Sequence, residues 1–181
     1  IWQQIQNKRL AHSSQRVYSK NQIIFEQICT GNFSRLAELS EISIDSAKCV
    51  VEMQGSDLFL NGLTEISPSA ARYLFRWKGN WICLNGFRAL SPRVAAYLFA
   101  WEGRWISLNG LTDFPPEIGN LLLQWGGGQL ELMGLRYTDG SAAKIAIKYL
   151  AQWERSGGKL FVHKTIRNKI DEINGSQRPS A

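Results

Sequence analysis

Trp81-Ile82-Cys83-Leu84-Asn85-Gly86-Phe87-Arg88-Ala89-Leu90-Ser91-Pro92-Arg93-Val94-Ala95-Ala96-Tyr97-Leu98-Phe99-Ala100-Trp101-Glu102-Gly103-Arg104 is one complete unit of an internal repeat. Its Leu84-Asn85-Gly86 is preceded by Leu60-Asn61-Gly62 and followed by Leu108-Asn109-Gly110 and, with one change, Leu132-Met133-Gly134, always at an interval of 24 residues. Agreement extends through the unit. Ser91-Pro92 repeats Ser67-Pro68, Ala95 repeats Ala71, Leu98 repeats Leu74 and recurs as Leu122, and Trp101-x-Gly103 repeats Trp77-x-Gly79 and recurs as Trp125-x-Gly127. Toward the N-terminus, Ile42, Ser43, Ala47, Met53 and Gly55 stand 24 residues before their counterparts, so a weaker unit starts near Leu36. Toward the C-terminus, Leu135 to Val162 reads as a last unit with a helix about a turn longer, in which Trp153 falls 28 residues after Trp125.

Each unit decodes into a strand and a helix. Leu58/Leu60, Ile82/Leu84, Ile106/Leu108 and Leu130/Leu132 alternate with residues of the opposite facing, which is the period of a strand. The Gly two residues after each pair permits a sharp exit. Ser67-Pro68 and Ser91-Pro92 then place a hydroxyl at the helix N-cap and Pro at the first helical position, where its missing N–H is not needed. Ala71, Leu74 and Phe75 make one apolar stripe and Ala95, Leu98 and Phe99 another, predicting helices of about ten residues that stop at the Gly of Trp-x-Gly in a left-handed conformation. One such unit cannot bury its own apolar face. About five units over residues 34–162 must therefore stack, with a parallel sheet on one side and parallel helices on the other, as a curved α/β solenoid.

The pattern L-x-L-N-G-L-x-x-I-S-P-x-x-A-x-x-L resembles a leucine-rich repeat over roughly residues 36–162. It is most similar to bacterial-type or cysteine-containing repeats with L-x-L-x-x-C-x-x-I-T-D, with Leu63, Phe87, Leu111 and Leu135 at the Cys position and Ser-Pro at the Thr-Asp position. The recurring Trp-x-Gly is a departure from that family. Leucine-rich repeats commonly bind proteins, so the resemblance implies a curved solenoid with a partner-binding role.

The ends do not follow the repeat. Within residues 1–33, Ile23, Ile24, Phe25 and Ile28 predict one short helix capping the first unit. After Val162, Thr165 to Ile173 predicts a short basic helix and Gly175 to Ala181 a frayed end, so 163–181 reads as a basic tail with no assigned function. The chain of 181 residues, 44% hydrophobic and 20% charged, has the composition of a folded domain. It holds no apolar run able to span a bilayer and no signal-peptide block in Ile1 to Lys20; its first residue, Ile1, suggests a fragment or a processed chain. Cys29, Cys49 and Cys83 are odd in number and widely spaced, which argues against a disulfide framework and a zinc site and for small buried hydrophobes in a reducing compartment such as the cytoplasm, a secreted effector being the other option. Of the +6 net charge, much comes from Lys8, Arg9, Arg16 and Lys20 at one end and Lys164, Arg167, Lys169 and Arg178 at the other.

No catalytic, cofactor or metal motif is present: His12 and His163 lie in different end regions, and Gly126-Gly127-Gly128 lacks the Lys-Ser/Thr of a phosphate loop and reads as a turn. An enzyme is not expected. Strand alternation instead lines the open sheet face with Asp57, Phe59 and Asn61, then Trp81, Cys83 and Asn85, then Trp105, Ser107 and Asn109, then Gln129, Glu131 and Met133. Trp81 and Trp105 fall on adjacent strands about 5 Å apart. The expected partner-binding residues are Phe59, Trp81, Asn85, Trp105, Asn109, Glu131 and Met133, and the expected partner is a protein or peptide. The Asn row at 61, 85 and 109 also has a structural reading, as caps on the backbone at the strand exits. Trp77, Trp101, Trp125 and Trp153 are expected to pack between units. The rival functions are nucleic-acid binding through Arg72, Arg76, Arg93, Arg104 and the basic tail, the recognition fragment of a larger effector or enzyme, and a spacer between flanking domains.

Overall fold

The computed structural model describes residues 20–137 and 140–175. The beginning of the predicted cap region, with Lys8, Arg9, His12 and Arg16, and the predicted frayed end, with Arg178, lie outside the described residues. The described residues open with helix at 20–29, α1, followed by a 3-10 turn at Leu36–Glu38. It continues with α2 (Ile44–Val51), β1 (Asp57–Phe59), α3 (Pro68–Leu74), β2 (Trp81–Cys83), α4 (Pro92–Leu98) and β3 (Trp105–Ser107). Then come α5 (Pro116–Leu122), β4 (Gln129–Leu132), α6 (Ser141–Arg155), β5 (Lys159–Val162) and α7 (Lys164–Gly175). This is an α/β fold: the five strands form one parallel sheet in the order β1-β2-β3-β4-β5, open at β1 and β5.

The repeat interval appears as register. Asp57 pairs with Trp81, Trp81 with Trp105 and Trp105 with Gln129, each one repeat on, so side chains of like facing form rows across the sheet. Leu58, Ile82, Ile106, Leu130 and Leu160 form the inward row and are buried. They meet Ala71 and Leu74 of α3, Ala95 and Leu98 of α4, Ile118 and Leu122 of α5, and Ile147 and Leu150 of α6 in one continuous core. From α2 to α7, consecutive helices contact one another. Every inward Leu or Ile contributes about 1.5–3 kcal/mol by leaving water.

The helix starts follow the local chemistry of the sequence. Ser67 Oγ accepts from Ala70 N at 3.1 Å and Ser91 Oγ from Val94 N at 3.4 Å, with Pro68 and Pro92 opening the helices. Ser43 does the same for α2, accepting from Ser46 N at 3.0 Å.

The helix stops differ from expectation. α3, α4 and α5 have seven residues each rather than about ten, and none of Gly79, Gly103 and Gly127 has a left-handed backbone. These glycines provide room instead. A Cβ at Gly79 would sit 1.9 Å from the Trp77 ring, one at Gly103 2.1 Å from Trp101, and one at Gly127 1.9 Å from Trp125, because each indole folds back over the glycine two residues on. The chain leaves the helix before each Trp so that the ring can turn inward. The strand-exit glycines are tight for another reason: a Cβ at Gly86 or Gly110 would come within 2.2 or 2.1 Å of a carbonyl oxygen of the preceding unit.

Two more differences lie at the ends of the repeat. The first unit, near Leu36, contributes α2 and a 3-10 turn, and among the described residues no strand of its own pairs with β1. In the last unit α6 has 15 residues, about two turns more than its predecessors rather than one, and β5 is displaced so that Gln129 pairs with Lys159. Strand–helix alternation then continues past Val162: α7 packs on α6 with Ile166 and Ile170 buried, and Arg167 reaches Glu154 at 2.7 Å and the Leu160 carbonyl at 2.5 Å. At the other end Ile24 and Ile28 of α1 are buried and Ile23 is exposed. The cysteines also differ from expectation. Cys83 is buried, but Cys29 is exposed and Cys49 only half-buried.

Candidate binding face

Opposite the helices, the strands present three rows. The first is Asp57, Trp81, Trp105, Gln129 and Lys159; the second is Phe59, Cys83, Ser107, Glu131 and Phe161. Just beyond the strand ends, Asn61, Asn85, Asn109 and Met133 make the third. This face is not uniformly open. Phe59, Met133 and Phe161 are 42, 49 and 44% exposed, whereas Cys83 and Ser107 are buried beneath their neighbours.

Phe59, Trp81 and Trp105 touch in turn along this face. The Trp81 and Trp105 rings stack with centroids 4.5 Å apart and planes inclined by 17°, and Phe59 meets Trp81 edge-on at 5.4 Å and 71°. Offset stacking and edge-to-face contact both match the positive rim of one ring to the negative face of the next, at about 0.5–1.5 kcal/mol per pair. Trp81 Nε1 is buried and has no hydrogen-bond acceptor among the described residues. Leaving such a donor unpaired costs about 1–3 kcal/mol.

Beside the aromatics, Glu131 is held by three donors. Trp105 Nε1 donates to one carboxylate oxygen at 3.1 Å, and Ser107 Oγ and Asn109 Nδ2 lie 2.7 and 2.9 Å from the other. The single Ser107 proton goes to Glu131 in preference to Asn85 Oδ1, 2.9 Å away, because an ionised acceptor makes the stronger bond. The same carboxylate, after burial itself, helps push the Cys83 thiol up to about 11. Cys83 is therefore mostly a neutral thiol near pH 7, and it is buried beneath its neighbours.

The asparagine row forms a ladder. Asn61 Oδ1 accepts from the backbone N–H of Asn85 at 3.3 Å, Asn85 Oδ1 from that of Asn109 at 2.8 Å, and Asn109 Oδ1 from that of Met133 at 3.0 Å. Each amide oxygen satisfies the backbone of the following unit, and the amide nitrogen of Asn109 turns to Glu131. Asn85 and Asn109 thus hold the face together from below its rim.

Of the seven residues expected on this face, Phe59, Trp81, Trp105 and Glu131 are joined in one contact chain, with Asn85 and Asn109 as its frame and Met133 exposed at the edge. Phe161 also belongs to the face and is absent from the sequence reading, because β5 follows β4 by a longer interval than the repeat. The alternation of Leu160 with Phe161 was the available signal. A groove of about 560 Å³ runs along the first row, lined by Asp57, Trp81, Arg104, Trp105, Gln129 and Lys159 among others.

The remaining candidates disperse. Arg72 and Arg93 lie on α3 and α4 and Arg76 just after α3, all exposed, whereas Arg104 lines the groove on the sheet face. His163 caps α7, its Nδ1 lying 3.4 Å from Thr165 N. Among the described residues no three His, Cys, Asp or Glu side chains are placed to hold a metal ion, and no helix is long and apolar enough to cross a membrane. The chain matches no family model, no curated protein and no solved structure with which it was compared.

Proposed function

We propose that this chain is a leucine-rich-repeat-like solenoid whose open sheet face binds a protein or peptide. The observation that carries the reading is the contact chain Phe59–Trp81–Trp105–Glu131, flanked by exposed Met133 and Phe161. Rings fixed against each other lose little freedom when covered, so the apolar area they bring to an interface is not offset by ordering. The carboxylate is held in place in the same way. The solenoid reading is supported by the constant register of the first four strands, the helix-to-helix contacts and the asparagine ladder. Nucleic-acid binding has weaker support, because Arg72, Arg76 and Arg93 are on the helical side and Arg104 is on the other.

The test is capture from the source lysate, then titration of the recovered protein against the wild-type chain and two folded variants, Trp81→Ala/Trp105→Ala and Phe59→Ala/Met133→Ala. Loss of the aromatic anchors should weaken binding by at least about 30-fold, about 2 kcal/mol. Equal affinity of all three for the same partner sinks the sheet-face reading. Retention of nucleic acid, with affinity falling steeply as salt rises, favours the alternative.

A further inference from the structure

The sulfurs of Cys29 and Cys49 lie 2.8 Å apart, one in the last turn of α1 and the other in α2, separated by 20 residues of chain. A disulfide sets its sulfurs at about 2.05 Å, so bonding needs a movement of less than about 1 Å and no rearrangement of the helices. Cys29 is exposed, which admits a small oxidant; Cys49, half-buried beneath it, is the resolving partner. Cys83 is buried on the sheet face and separate from the pair. Apart from this contact, α1 is held by buried Ile24 and Ile28, by Asn21 donating to Ser40 at 3.4 Å, and by the exposed Lys20–Glu38 pair at 3.2 Å. A covalent link here would change how firmly α1 is held and leave the open face untouched.

We propose that Cys29 and Cys49 are a reversible oxidation site, converted by a low-molecular-weight disulfide such as oxidised glutathione into a bond that staples α1 to α2. In the first step the Cys29 thiolate attacks one sulfur of the oxidant. The oxidant's sulfur–sulfur bond breaks, one glutathione thiolate leaves and takes up a proton, and Cys29 carries a mixed disulfide. The Cys49 thiolate then attacks the Cys29 sulfur and expels the second glutathione. Two protons and two electrons pass from the protein to the oxidant, which ends as two thiols; excess thiol drives the reverse sequence. The Cys29 thiol is pushed up to about 11, first by its hydrogen bond with Cys49, then by burial and the nearby Asp45. A raised pKa leaves little thiolate at neutral pH, so the first step accelerates about tenfold per pH unit between pH 7 and 9.

The experiment uses the full chain, reduced, exposed to oxidised glutathione at pH 7, 8 and 9 and quenched with an alkylating agent before mass analysis. The expected product has lost two hydrogens, yields a Cys29–Cys49 linked peptide, and keeps Cys83 alkylatable after unfolding. Its Tm should exceed that of the reduced chain by about 5 °C or more, a gain absent from Cys29→Ser and Cys49→Ser and retained in Cys83→Ser. Stable glutathione adducts on both cysteines, a bond from either to Cys83, or no linked peptide at any of the three pH values overturns the proposal. The sulfurs lie off the open face, so partner binding and staple formation can fail independently.

Discussion

At the scale of single residues, the inward tryptophans act as rivets between units. Trp77 donates its indole N–H to the Met53 carbonyl at 3.0 Å, Trp101 to that of Trp77 at 2.7 Å and Trp153 to that of Trp125 at 3.4 Å. Trp125 Nε1, by contrast, is buried without an acceptor among the described residues. Trp101→Phe should therefore destabilise the protein by about 1 kcal/mol more than Trp125→Phe, since one loses a made hydrogen bond and the other removes an unpaired donor. Denaturant unfolding of the two variants checks this. The exposed carboxylate of Glu38 supplies a pH effect. Hydrogen bonds from Arg35 and then Lys20 lower it to about 2. A depressed pKa stabilises the fold above the unfolded value of about 4.3 and loses that contribution as pH falls toward 2. Glu38→Gln should flatten the fall in denaturation midpoint between pH 5 and 2, and an unchanged slope would discount the pair.

At the scale of elements, the repeat depends on where glycine stands. Gly103 lies under the Trp101 ring, whereas a Cβ at Gly126 meets no described residue within 4 Å. Gly103→Ala should cost about 2–4 kcal/mol, as the ring is forced from its pocket, and Gly126→Ala should be neutral or stabilising by up to about 1 kcal/mol. Thermal melts of the pair separate space from backbone freedom, because neither glycine has a positive φ. Sequence reasoning placed Gly79, Gly103 and Gly127 at the right points and assigned them the wrong task. Trp-x-Gly after an apolar helical stripe looks like a left-handed stop, and only packing shows the ring occupying the volume of the missing side chain. The N-caps were legible outright, because a Ser-Pro pair acts on the turn immediately following it.

At the scale of the whole molecule, the open sheet has two ends to protect. α7 lies against α6 with Ile166 and Ile170 buried, and Arg167 ties it back to Glu154. Ending the chain after Val162 would remove both isoleucines and should cost about 3–6 kcal/mol, read as a lower denaturation midpoint with greater self-association. A truncated chain as stable as the parent and no more self-associated would show α7 to be dispensable. The candidate face was largely readable as well. Phe59, Trp81, Trp105, Glu131 and Met133 follow from strand alternation, and Phe161 does not, because the longer α6 displaces β5 from the 24-residue interval.

The sequence by itself determined the alternation of strands and helices from β1 onward, the parallel pairing of β1 to β4 and the facing of their residues. A period of 24 repeats the same local instructions, and alternation within a strand is a property of the backbone. Only the tertiary structure decided the indole seats over glycine, the asparagine ladder, the three donors on Glu131 and the meeting of Cys29 with Cys49. Most of these contacts join residues twenty or more positions apart, and all depend on distances of a few tenths of an ångström set by packing, which no local propensity encodes.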